Sequence, residues 1–163
     1  MFQNLFKFFL TVSFFGNWMF IVPAILIVLL ILFILKKKDY IRPFIFTVAG
    51  AEIVTFFAKI IFHRPRPIAA MVFEPDFSFP SGHATIAVAF YGYLAYILIN
   101  SVNRRYKYPI IIAATLIAAL IGYSRLFLRV HYPIDVLTGY FVGAVFLIIG
   151  ISLRERSGCH QVR

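Results

Sequence analysis

Charge is scarce in this chain. Only 13% of its 163 residues are charged, while 62% are hydrophobic and 20 are Phe; this balance excludes an ordinary soluble domain and implies an integral membrane protein. Cysteine is nearly absent: Cys159 stands alone, so neither an internal disulfide nor a cysteine metal cluster can form. No soluble domain, linker or internal repeat interrupts the apolar pattern, and residues 1–163 read as a single membrane-embedded domain. We expect no cleaved signal peptide, because the basic start is weak and no small-x-small site follows it. What charge exists is lopsided, +10 net. In a soluble protein that would suggest nucleic acid, but most basic residues here flank apolar runs, where they set topology and meet anionic lipids. No nucleic-acid partner is expected.

A spanning helix needs about 20 apolar residues, fewer where flanking groups snorkel. Five segments qualify: 18–35, 41–62, 83–100, 108–128 and 134–153. The expected fold is therefore all-α, an integral membrane bundle of five spanning helices. Residues 1–17 add either an interfacial helix or a short sixth span. Gln3, Asn4, Lys7 and Thr11 share one helical face, which suits the interface; the apolar stretch 8–15 suits a span. Lys36, Lys37, Lys38, Arg42, Arg104, Arg105, Lys107 and a basic tail over 154–163, with His160, fall at one end of five alternating helices. The positive-inside rule makes that end cytoplasmic. We expect a multi-pass protein of the cytoplasmic (inner) membrane, with the loop 63–82 and the turn 129–133 facing the periplasm or exterior. The connection 63–80 is the one segment long enough to act as a lid. Paired small residues, Gly92 with Ala95, Ala118 with Gly122 and Gly139 with Gly143, permit close helix packing.

Against this apolar background stand three polar blocks, all at the outer helix ends. Ionisable groups at membrane depth demand partners. Lys59 is followed by the rigid run Arg64-Pro65-Arg66-Pro67; an ammonium and a guanidinium converging there form an anion clamp, unless Lys59 merely snorkels to headgroups. In Pro80-Ser81-Gly82-His83, Ser81 is a natural N-cap and Gly82 removes bulk, so free N–H groups and the helix dipole offer a second anion site. The plain alternative is a capped helix start with an interfacial histidine. Ser124-Arg125 precedes His131 and Asp135, whose four-residue spacing puts both on one face. A carboxylate there can hold one imidazole nitrogen and leave the other free to attack, or simply stabilise a helix start.

In combination, Lys-x6-Arg-Pro, Pro-Ser-Gly-His and Ser-Arg-x5-His-x3-Asp closely resemble the signature of the type 2 phosphatidic acid phosphatase superfamily, over roughly residues 18 to 153. The resemblance implies that His131 is the nucleophile forming a phosphohistidine, that Asp135 orients it, and that His83 protonates the leaving oxygen and then helps activate water. It implies that Lys59, Arg66, Ser81, the Gly82 backbone and Arg125 hold the phosphoryl oxygens. No cofactor and no metal are expected; His83, His131 and Asp135 as metal ligands would leave the crowd of cations unexplained. Family members of this kind act on phosphatidylglycerophosphate, phosphatidate, undecaprenyl diphosphate or lipid A 1-phosphate, and the substrate partner expected is such a lipid, entering from the bilayer with its chains sheltered by Phe73, Phe77 and Phe79. Lipid-to-lipid phosphotransfer with the same site, and non-catalytic lipid transport, are the competing functions. Outside the signature, Arg64 and Arg129 are expected to snorkel rather than touch a second phosphate, Glu74 and Asp76 to be solvated, and Glu52 to pair internally. His63 has no motif to claim it.

Overall fold

The computed structural model describes residues 1–159, with side chains through Arg156. Among these residues every regular element is helical: α1 Phe2–Phe14, α2 Trp18–Ile34, α3 Lys38–Phe62, α4 Gly82–Ile86, α5 Gly92–Ile99, α6 Lys107–Phe127 and α7 Pro133–Cys159. A π-helical turn, Ala87–Tyr91, joins α4 to α5, and the three form one 18-residue rod over Gly82–Ile99. Four helices are individually long and apolar enough to cross a membrane. The 17 residues of α2 meet the same length and apolarity requirement only together with α1, from which α2 bends by 41°, the geometry of a broken span or a re-entrant loop.

The N-terminal helix is anchored on the bundle along one side. The polar residues Gln3, Asn4, Lys7 and Thr11 are exposed as expected, but Phe9 is buried. Its ring lies 4.3 Å from that of Phe127 and 5.4 Å from that of Tyr123 on α6. At the break, Asn17 caps α2 by accepting from Met19 N at 2.9 Å. Tyr91 of the π turn donates to Phe15 O at 2.8 Å, anchoring the break to the bundle.

Helix α7 packs along α3 and the Gly82–Ile99 rod, while α1 lies on α6 and α2 on α3. The small residues of α7 set the spacing: a Cβ on Gly139 would sit 2.6 Å from Ser81 O, and one on Gly143 2.6 Å from Thr85 O. Only glycine lets α7 press on the α4 backbone in this way. A separate core of Tyr40, Phe44, Val48, Ile86, Phe90 and Tyr93 fills the centre between α3 and the Gly82–Ile99 rod, while large apolar side chains such as Leu26, Phe57 and Ile112 cover the outer surface, as lipid contact requires. At the basic end, Arg154 pairs with Asp39 at 3.2 Å and stacks on Tyr40. Residues 154–159 of the expected tail therefore continue α7; His160 and the rest of it lie outside the described residues.

The glycine contacts predict a contrast. Gly143→Ala should destabilise the bundle by about 1–3 kcal/mol through overpacking against backbone, lowering the Tm in detergent. Gly82→Ala meets nothing nearer than 3.9 Å and should leave the Tm unchanged.

Candidate active site

Three helix ends bring the polar blocks together opposite the basic end. Helix α3 stops at His63, whose left-handed backbone (φ 46°) turns the chain; the prolines at 65 and 67 then hold Arg64 and Arg66 in a stiff connection. Lys59, Arg66, His83 and His131 line one cavity of about 700 Å³ together with Glu74 and Asp76. His63 remains exposed, its ring edge against Phe77.

His131 is buried, and its two ring nitrogens face different partners. Nδ1 points at Asp135 Oδ2, 3.6 Å away, and Nε2 lies 3.2 Å from Arg66 Nη1. A guanidinium can only donate. Nε2 therefore carries the lone pair and Nδ1 the proton, the tautomer a nucleophilic Nε2 needs. Asp135 is fully buried and well tied: Oδ2 accepts from Tyr132 N at 2.9 Å and Oδ1 from Arg64 Nη1 at 2.8 Å. Arg64 also stacks on the Tyr132 ring. Expected to snorkel, it instead braces the carboxylate behind His131. Arg129 is exposed.

Arg125 is 2% exposed and reaches across helices. Its Nη1 donates to Ser13 Oγ on α1 and its Nη2 to Glu74, while Nε has no hydrogen-bond partner. Ser81 occupies the N-cap position of α4, yet its hydroxyl does not cap. Thr85 Oγ1 and Thr85 N both donate to Ser81 O, and Ser81 N donates to Asp135 O at 3.0 Å, which fixes the backbone without the side chain. Ser81 Oγ is left buried and unpartnered, a donor suited to a phosphoryl oxygen. Gly82 and His83 line the cavity beside it. Among the described residues no three of His, Cys, Asp and Glu group so as to hold a metal ion.

Several contributors escaped the sequence reading. A Cβ on Gly16 would meet the His83 ring at 3.1 Å, so the α1–α2 break backs that histidine, and Ser13 holds Arg125; a Gly-Asn pair between two apolar runs was the available signal. Glu74 and Asp76, expected to be solvated, lie among the cations, with the Asp76 side chain still half-exposed: Asp76 pairs with Lys59 and Arg66, Glu74 with Arg125 and Arg66. Glu52, expected to pair internally, has a buried Oε1 without a hydrogen-bond partner and lines the cavity. The apolar wall comes from Trp18, Ile21, Val22 and Ile25 of α2 and Val48 and Phe56 of α3. It is not built by the phenylalanine loop, where Phe73 is 88% exposed and Phe79 packs on Phe62.

Comparison with known proteins places this geometry. The PAP2 superfamily model matches residues 40–159. Phosphatidylglycerophosphatase B of Bacillus subtilis is 40% identical over 94 residues, 55% of this chain and 46% of that relative, so the chain spans about half the length of this curated relative. The crystal structure of a transmembrane PAP2 type phosphatidylglycerolphosphate phosphatase from Bacillus subtilis superposes with a TM-score of 0.88 at 29% identity, covering 93% of this chain and 77% of that one. Aquifex aeolicus LpxE superposes with a TM-score of 0.72 at 28% identity, covering 91% and 86%.

The environment of His131 predicts its titration. Burial lowers its pKa from the ordinary 6.5; Asp135 opposes this, but Arg125, Arg66 and Lys59 reinforce it. The imidazole should stay neutral at pH 6.5 and gain its proton only below. Histidine NMR of labelled protein, assigned with His131→Ala, should give a midpoint under 6.5; a midpoint above 7 would contradict the described surroundings.

Proposed function

Because the chain belongs to the PAP2 superfamily, we propose that it is a membrane lipid phosphatase that transfers the phosphoryl group of a lipid phosphate or pyrophosphate to His131 and then to water. The observation that carries this reading is the position of His131 Nε2, 3.2 Å from Arg66, in a cavity that is cationic at one end and apolar along α2 and α3.

Lys59, Arg66 and Arg125 neutralise the phosphoryl oxygens as charge spreads over them, and Ser81 Oγ and the Gly82 N–H add donors. His131 Nε2 attacks phosphorus while Asp135 stabilises the developing imidazolium through Nδ1–H. His83 protonates the departing lipid oxygen. It then takes a proton from the water that cleaves the phosphorus–nitrogen bond, returning His131 neutral. Arg64 and Tyr132 N keep Asp135 oriented. Because side-chain cations supply the charge neutralisation, turnover should persist in chelator; complete loss restored by a divalent ion would favour a metal site instead.

The substrate enters sideways from the bilayer, chains against the α2–α3 wall. Likeness to proteins named for phosphatidylglycerophosphate puts that lipid first, with lipid A 1-phosphate and undecaprenyl diphosphate as alternatives. By the positive-inside argument the site faces the periplasm or exterior, and residues 1–163 act as one domain.

Purified protein in mixed micelles should release inorganic phosphate from one or more members of a lipid phosphate panel. A phosphorylated lipid product in place of free phosphate would mean phosphotransfer. His131→Ala should abolish release, by on the order of 10⁴-fold or more, at unchanged Tm; retained turnover would refute the nucleophile. Arg64→Ala should lower kcat by about tenfold, the loss expected for one charge-assisted hydrogen bond, with KM little changed.

A further inference from the structure

Three of the cations assigned to phosphate are already engaged by carboxylates of the loop between α3 and α4. Asp76 bridges two of them, with Oδ2 2.8 Å from Lys59 Nζ and Oδ1 accepting from Arg66 Nη2. Glu74 links the third, Arg125, to the shared Arg66, accepting from Arg125 Nη2 and lying 3.9 Å from Arg66 Nη2. Burial raises the Asp76 pKa, but Lys59 and Arg66 outweigh it and hold the carboxyl below the ordinary 3.8, so it stays charged.

The loop is built to present these groups and to let them go. Its shoulders are fastened by backbone: Ser78 N donates to Arg64 O at 2.9 Å, Ser78 Oγ to Pro65 O at 3.1 Å, and Met71 N to Leu128 O at 3.0 Å. Between the shoulders Phe73 projects outward and the Asp76 side chain is 50% exposed. There the loop grips the bundle through Glu74, Asp76 and the carbonyls of Asp76 and Phe77, which accept from Arg66 Nε and Lys59 Nζ. Each of these contacts falls on a cation that phosphate would need.

We propose that Glu74 and Asp76 are specificity-determining residues, stand-ins for phosphoryl oxygens that yield to a ligand bringing about two negative charges and not to one bringing a single charge. Lys59, Arg66 and Arg125 carry three positive charges against two from the loop. A phosphomonoester carries about −1.5 to −2 at pH 7 and restores the balance when it displaces both carboxylates. A phosphodiester headgroup carries one negative charge. Taking the place of two carboxylates, it would leave excess positive charge partly out of water, an expensive state. The filter matters because a cationic pocket open to the bilayer meets phosphodiester lipids at high local concentration, and without the carboxylates they would fill it.

The inference rests on the phosphatase reading, and its test separates the two. Isothermal titration of the full-length protein in detergent with inorganic phosphate reads the cradle without turnover. In Glu74→Gln/Asp76→Asn, which keeps shape and removes charge, the phosphate Kd should fall by about tenfold. Phosphatidylglycerol added to the micelles should then compete with phosphate in the variant and not in the unmodified protein. The single variants, each expected to fall between, serve if the double variant does not fold. Weaker phosphate binding in the variants would show that the carboxylates merely hold the cations in place; equal competition by phosphatidylglycerol in both proteins would show no charge filter. Either result overturns the proposal. Phosphate binding as described without hydrolysis of any panel lipid would instead refute the phosphatase reading alone.

Discussion

Everything at the site end of this bundle answers to one constraint: cations gathered beside an apolar interior must be neutralised, because isolated charge there costs several kcal/mol. Four cations, Lys59, Arg64, Arg66 and Arg125, are matched by three carboxylates, Glu74, Asp76 and Asp135. Those three are half of the six acidic residues in the chain. Helix ends deliver the cations, a stiff proline run aims two of them, and one loop and one helix start return the carboxylates. The close approach of α7 to α4 at Gly139 sits just under Ser81, so the packing that holds the bundle together also sets the floor of the cradle.

Much of this is legible in the sequence alone. Segments of about 20 apolar residues can do little but span as helices, and polar blocks recurring at alternate helix ends must meet on one face. Of the motif residues, Lys59, Arg66, Gly82, His83 and His131 line one cavity, while Asp135 lies behind His131, Arg125 behind Glu74, and Ser81 beside Gly82. What spacing could not reveal was pairing across helices. Helical periodicity relates His131 to Asp135; it says nothing of Arg64 reaching Asp135 from 71 positions away or of Ser13 receiving Arg125. Nor could a capping preference anticipate that Thr85 would hold the Ser81 carbonyl and leave the Ser81 hydroxyl unused. Glu74 and Asp76 looked like ordinary loop residues. The scarcity of acid was the overlooked signal, since in a chain with so few carboxylates any that lies near buried cations becomes their counter-ion.

The N-terminal segment illustrates how tertiary contact decides between readings that composition leaves open. Its polar residues Gln3, Asn4, Lys7 and Thr11 are exposed, and of its apolar residues Phe9 packs on α6 while Phe2, Leu5, Phe8, Leu10 and Phe14 keep an outward apolar surface, so α1 is tied to the bundle on one side only. The break after it reaches His83 and opens the α2 wall of the cavity. Glu52, a carboxyl on that otherwise apolar path with one oxygen unpartnered, is a polar feature that any lipid chain lying there would meet.

The central claim is covalent: the phosphoryl group passes through His131. Rapid mixing with a lipid phosphate radiolabelled at phosphorus, followed by alkaline quench and peptide mapping, tests it directly. The account predicts alkali-stable, acid-labile label on the peptide bearing His131, accumulating further when His83 is replaced by a residue that cannot activate water but the substrate carries a leaving group needing no proton. Turnover with no label on that peptide, or label on His83 instead, would contradict it.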